Sequence, residues 1–354
     1  MTIDSKIDGM LSELLQAYPD IHDAREYFFQ GIQLLKHGRW QESERLLIAS
    51  LEKAEHFNDL QCKCYATRSL ALLFRYQGEM AQALVLYQQA LELATRLNDF
   101  WEQSIIYDQI GTTFRMMGLY IQAIEHFRNG IALAEKARNE EGQATTYNNL
   151  GIVYRIQGDL IKAAEVYELS LAISLKMGKD SIAASTYNNL ATIYIEQGKF
   201  DLAIKMYKKN VTIMEQLGNP AGLASTYSNL ATTHFLQNSF DEAKSMHENA
   251  LAIELRIGDE PGVAFDYYGL ANVYKAKGNL AQSMVFYRKA LDIETRIGDH
   301  HNAGMTYFSL GLLYLDDIGD PEQARLHFEK AKSLFELVGD AEHAQQAARE
   351  LRSL

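Results

Sequence analysis

Four prolines in 354 residues leave little to interrupt this chain, and two cysteines leave little to cross-link it. Proline breaks helices. Its scarcity, beside plentiful Ala, Leu, Glu, Gln and Tyr, argues for a helical protein. Cys62 and Cys64 stand two positions apart, point to different sides of a helix and make a poor disulfide. A reducing compartment and small packed thiols are expected. No apolar run approaches the ~20 residues of a membrane span. The opening stretch MTIDSKIDGMLSELL is acidic and has no apolar core of a signal peptide. A cytoplasmic protein is therefore expected. Cations are also in deficit: 34 Lys and Arg face 46 Asp and Glu, a net charge of −12. Such a surface repels phosphate, which argues against nucleic acid and against anionic membranes as partners. The chain carries no GxSxG, P-loop, GxGxxG, HExxH or paired CxxC signature. Neither enzymatic activity nor a cofactor nor a metal is expected.

What the sequence does contain is a period. The segments TYNNLGIVY, TYNNLATIY and TYSNLATTH begin at residues 146, 186 and 226, forty apart. Stepping by forty from Leu150-Gly151 lands on Leu70-Ala71, Ile110-Gly111, Leu190-Ala191, Leu230-Ala231, Leu270-Ala271 and Leu310-Gly311. Three residues beyond each small residue stands a large one, such as Phe114, Tyr154 or Tyr274, and a turn residue follows, such as Gly118, Gly158 or Asn238. A second pattern then opens with a small residue (Ala83, Ala123, Ala163) and a large one four later (Tyr87, Phe127, Tyr167). Spacings of three and four share one helical face. Small residues let two helices approach, and a glycine in the left-handed conformation ends the first of them. Each unit is thus predicted to be helix A, a tight turn, helix B and a loop. One such pair cannot bury its own apolar face and must stack on neighbours.

This small–aromatic–small pattern resembles the tetratricopeptide repeat family, with Tyr147, Tyr187, Tyr227, Tyr267 and Tyr307 where that family prefers Trp. The forty-residue unit is similar to those of kinesin light chains, spindle-orientation adaptors and bacterial sensor or peptide-receptor proteins. The resemblance implies an all-α, right-handed α-solenoid of eight helix-turn-helix units with terminal capping helices. The expected organisation is a helical cap over 1–20, one solenoid over 21–340 with repeats starting near 24, 64, 104, 144, 184, 224, 264 and 304, and a last helix over 341–354. That helix reads as helix A of a ninth unit, either a cap or the place where a longer protein continues. One inserted residue, in LDDIGD, displaces the turn of the eighth repeat to Gly319.

In the family, a second stripe of helix A lines the concave face and holds a peptide or helix of a partner. Here that stripe carries Arg75, Arg115 and Arg155 at one position of three successive repeats, with Lys275 at the same position later. Aligned arginines in an acidic protein point to an acidic or phosphorylated segment, or else they balance nearby Asp and Glu. Asn148, Asn149, Asn188, Asn189 and Asn229 crowd the middle. Asparagine is a poor mid-helix residue, but its amide both donates and accepts. The asparagine before the repeat leucine resembles the family's clamp on peptide backbone; a bond between neighbouring repeats is the other role open to it. Phe235, Tyr268, Asn272 and Phe308 continue the stripe toward an apolar end. The expected function is a non-enzymatic protein-binding module. A sensory or regulatory region of a larger signalling protein, or a scaffold that self-associates through its ends, are the alternatives. His234 and His247 replace the packing aromatics of the sixth repeat and read either as satisfied core residues or as a pH- or metal-sensitive joint. His300-His301 reads as a solvated pair in a loop.

Overall fold

The structure, a computed structural model, describes residues 22–354; the cap expected over 1–20 lies outside them. Among the described residues every regular element is a helix. The first eight are α1 (His22–Lys36), α2 (Trp40–His56), α3 (Leu60–Tyr76), α4 (Met80–Arg96), α5 (Phe100–Met116), α6 (Tyr120–Lys136), α7 (Glu140–Ile156) and α8 (Leu160–Lys176). They are followed by α9 (Asp180–Glu196), α10 (Phe200–Gln216), α11 (Pro220–Leu236), α12 (Phe240–Ile257), α13 (Glu260–Ala276) and α14 (Leu280–Ile297). The last three are α15 (His300–Leu312), α16 (Pro321–Leu337) and α17 (Ala341–Ser353). Odd-numbered helices through α15 are the A helices and even-numbered ones the B helices. The described residues divide into two compact units, 22–182 and 183–354. In the first, each helix from α1 to α7 packs on its successor, and the A helices α1, α3, α5 and α7 also pack side by side. In the second, α10 to α17 pack in the same sequential way and α11 packs on α13.

The turns explain the helix lengths. Gly158 closes α7 with φ +78. Its N–H donates to the Arg155 carbonyl at 2.9 Å and that of Asp159 to the Tyr154 carbonyl at 2.9 Å, which satisfies carbonyls the helix end would orphan. Asp159 then caps α8, its side chain accepting the Lys162 N–H at 3.1 Å. From α3 on, each A helix starts four residues ahead of the starts counted from the anchor pattern: Asp59, Asp99, Asn139, Asn219, Asp259 and Asp299 act as N-caps for α3, α5, α7, α11, α13 and α15. His300 and His301 therefore lie in the first turn of α15, not in a loop. The inserted residue of the eighth repeat is absorbed by a π-helical turn, Leu313–Ile318, which ends at Gly319 with φ +76. One extra residue per turn is what a π-bulge accommodates.

Packing follows the large-into-small rule read from the repeat. Tyr87, Phe127, Tyr167, Tyr287 and Phe328, all on B helices, are fully buried. A Cβ added at Gly151 would sit 2.5 Å from the Tyr167 ring, and one at Gly311 would sit 2.5 Å from the Phe328 ring. The glycine after the anchor leucine is therefore a seat for the B-helix aromatic. Cys62 and Cys64 are free and buried. The Cys64 thiol donates to the Ala90 carbonyl at 3.3 Å, and burial pushes its pKa up to about 12.

Candidate functional site

All thirteen residues expected along the second stripe are half-buried: Arg75, Arg115, Asn148, Asn149, Arg155, Asn188, Asn189, Asn229, Phe235, Tyr268, Asn272, Lys275 and Phe308. The anchor residues Leu70, Ile110, Leu150, Leu190, Leu230, Leu270 and Leu310 are buried. The two stripes thus separate as helical spacing requires.

In the first unit the stripe converges on Asp108 of α5. Its Oδ1 accepts the Asn149 amide N–H from α7 at 2.9 Å. Burial pushes the Asp108 carboxyl up; bonds from Asn149 and Thr146 and the charges of Arg75 and Arg115 pull the other way. Arg75 donates through Nη1 to the Gln109 carbonyl at 3.4 Å and lies 5.7 Å from the ring centre of Tyr76. Arg115 Nε and Gln109 Oε1 are buried and have no partner among the described residues. The local balance is two guanidinium groups to one carboxyl. Arg155, in the next repeat, is half-buried and engaged with other groups of the protein. Closer to the loops, Arg68 pairs with buried Glu102, and Arg25 with Asp59 at 2.8 Å.

In the second unit Asn229 donates from Nδ2 to Asn188 Oδ1 at 3.3 Å. Tyr268 and Ser309 share a hydroxyl–hydroxyl bond of 3.0 Å. These pairs and Asp108–Asn149 all lie forty-one residues apart. They form one repeating contact, in which a stripe residue of one A helix bonds the residue before the leucine in the next. Ser309 belongs to it although the asparagine pattern stops before it. Where a pair fails, the reason is visible. Phe28 has nothing to offer Ser69, whose hydroxyl is left without a partner among the described residues. Arg68 turns instead to Glu102. At the seventh repeat the position is Gly269, and a Cβ there would sit 2.3 Å from the His247 ring. Further along, the buried Tyr287 hydroxyl donates to Asn272 Oδ1 at 2.5 Å, and Lys275 pairs with Asp317 of the π-turn at 3.2 Å. Phe308 packs against Phe328, with ring centres 5.4 Å apart, and Phe235 against Phe240 at 5.6 Å.

Residues 102–176, 182–254 and 264–337 match the tetratricopeptide repeat, and a second description of the same repeat matches 66–99. The chain belongs to the tetratricopeptide repeat family. A comparison with curated proteins gives no match. Among solved structures, BtubC from P. vanneervenii is 26% identical, with a TM-score of 0.57 over 62% of this chain and 92% of that one. The apo form of RapI is 13% identical, with a TM-score of 0.73 over 93% of this chain and 96% of that one. A STAND ATPase with a tetratricopeptide repeat sensor from Pyrococcus horikoshii is 18% identical, with a TM-score of 0.70 over 93% of this chain and 53% of that one.

Family resemblance led to the asparagines and arginines; Asp108 lies on the same stripe, and its part in tying them together shows only in the structure. A second polar cluster surrounds His247, which the repeat pattern singles out; its partner Asp266 was not foreseen. This histidine is buried, and its Nδ1 lies 2.8 Å from Asp266 Oδ1. Burial pushes its pKa down to about 4. His234 is half-buried, and its Nδ1 has no partner among the described residues. The two histidines do not bond each other. Among the described residues no group of three His, Cys, Asp or Glu is arranged to hold a metal. His301 faces Asp340 at 3.3 Å.

Proposed function

We propose that this chain is a non-enzymatic interaction module that holds an acidic peptide or helical segment of another protein along its A-helix faces. One observation carries the reading: from α3 to α15 the thirteen stripe residues stay half-buried while the anchor residues of the adjacent stripe are buried. In the first unit, Arg75 and Arg115 exceed the charge of Asp108, and Arg115 keeps a buried donor unspent. A partner carboxylate or phosphate would complete that set with charge-assisted bonds. The asparagines are not idle without a ligand. In Asn149–Asp108 and Asn229–Asn188 the bond takes one donor or one lone pair of each amide, and an amide offers two donors and two lone pairs, so capacity for a peptide backbone remains. Phe235, Tyr268 and Phe308 would take apolar side chains in the second unit. Buried free thiols fit a cytoplasmic setting, and no helix among the described residues is long and apolar enough to cross a membrane.

The test is capture from native lysate with wild type beside an Arg75→Gln/Arg115→Gln variant. Glutamine removes the charge without placing a second carboxylate beside Asp108. Partners with acidic segments should lose about tenfold or more in affinity, the scale of one charge-assisted bond, while circular dichroism stays unchanged. Equal capture by both proteins overturns the reading. A regulatory role inside a larger signalling protein uses the same face. It is supported at the level of fold by the quorum sensor NprR of B. thuringiensis, which is 14% identical with a TM-score of 0.55 over 94% of this chain and 98% of that one. Mass measurement across concentrations distinguishes self-association from capture of another protein.

A further inference from the structure

Repeat positions 146, 186, 226 and 306 all hold threonine, and all four are buried. The equivalent position of the seventh repeat is Asp266, which is 0% exposed. Across from it on α12 stands Glu254, 3% exposed. Two carboxyl groups are therefore enclosed where the other repeats place at most one. The site has room built for them. A Cβ on Gly262 would fall 2.5 Å from Glu254 Oε1, and one on Gly269 would fall 2.3 Å from the imidazole of His247.

The bonding needs a proton. Asp266 Oδ1 is engaged by His247 Nδ1 at 2.8 Å. Glu254 Oε2 and Asp266 Oδ2 are both buried and have no hydrogen-bond donor among the described residues; the equivalent pair of the eighth repeat, Glu294 and Thr306, stands at hydrogen-bond distance, 3.1 Å, so the two carboxyl groups face each other across α12 and α13, and each acts on the other's charge. An ionised carboxylate has no hydrogen to give. Two buried carboxylates in contact would also repel strongly. We propose that Glu254 and Asp266 share a single proton, held between Oε2 and Oδ2, and that its loss loosens the joint between α12 and α13, making this part of the second unit a proton-operated element.

The surroundings supply no cation to replace it. From α11, the Ser228 hydroxyl donates to the Ala224 carbonyl at 3.1 Å and brings no charge, and His234 interacts with Glu242 and Lys208 rather than with the pair. From α12 come His247 and Glu254 themselves. The α12–α13 loop adds Asp259, whose charge raises Glu254 further. On α14, Arg296 is committed to Glu260 at 2.7 Å on the surface. Burial, followed by mutual repulsion, pushes Glu254 up, and burial pushes Asp266 up. The eighth repeat shows the one-carboxyl version: Glu294 accepts from the Thr306 hydroxyl at 3.1 Å.

The sign follows from linkage. A carboxyl raised in the folded state stabilises below its unfolded pKa, and that stability is lost as pH rises toward the folded value. His247, lowered in the folded state, acts oppositely as pH falls below its ordinary value near 6.5, so the window free of it lies above that. Amide hydrogen exchange of the full chain, corrected for intrinsic rate, is to be followed from about pH 6.5 to 8. Opening of α12 and α13 should rise about tenfold per pH unit, the slope for one proton held only in the closed state. Glu254→Gln and Asp266→Thr should both flatten that slope. The threonine variant copies the eighth repeat, which is itself folded here. Infrared difference spectra of the unaltered protein should show a protonated carboxyl at neutral pH that disappears in alkali. A flat wild-type profile, a Glu254→Gln variant that keeps the slope, or no protonated carboxyl at neutral pH overturns the proposal.

Discussion

Asn149 holds Asp108 through its amide, at 2.9 Å. Asn149→Ala should therefore cost stability as well as binding. Removing one partner of a buried acceptor costs on the order of 1–3 kcal/mol. Burial already pushes Asp108 up, and Asn149 counters it. Without the amide the carboxyl rises further, so the loss should be largest at neutral pH and shrink below the ordinary carboxylate range, where Asp108 is protonated in both states. Thermal melts of wild type and variant at pH 7 and pH 4 check this; an equal difference at both pH values contradicts it. Gly269→Ala tests a different kind of residue. The new methyl would meet the His247 ring, and overpacking of this kind costs roughly 1–3 kcal/mol. A lower urea midpoint is expected, partly restored by adding His247→Ser, and no restoration would separate the two positions energetically.

Helices and turns were legible because each is written redundantly. A period of forty, small–large spacing and a turn glycine all demand the same pair of helices. The site was legible only as a stripe, since helical spacing says which residues share a face and nothing about what lies opposite. Asp108 and Asn149, forty-one residues apart, meet only once α5 and α7 are stacked. The Glu254–Asp266 pair was missed for a similar reason: Asp266 replaces a threonine at a position that looked unremarkable until its burial was known. One turn also departs from its written rule. The closing turn of the third repeat puts Arg138 at φ +54, where Asn58, Asn98, Gly178 and Gly218 stand in equivalent places. A residue with a Cβ in that conformation costs about 1–2 kcal/mol. Arg138→Gly should raise Tm by roughly 2 °C after the entropy of glycine is set against the gain. A lower Tm would mean that the arginine side chain contributes more than its backbone loses.

The whole molecule carries −12 and yet sets two arginines against a single carboxyl in its first unit. Net charge speaks for solubility and for the exclusion of polyanions; it does not forbid a local site for an acidic segment. The division into two compact units gives the proton-linked joint a boundary. Glu254→Gln should change the pH response of helices of the second unit and leave that of α3 to α7, where burial also raises Asp108, as in wild type, which the same hydrogen-exchange series reads directly. The widened turn at Leu313–Ile318 has a consequence of another sort. There the backbone took in a surplus residue, and α16 still presents Phe328 to Gly311 as its counterparts do. Length and periodicity are uncoupled at that one point. An engineer wishing to splice a short label into this array without shifting everything downstream has the place marked.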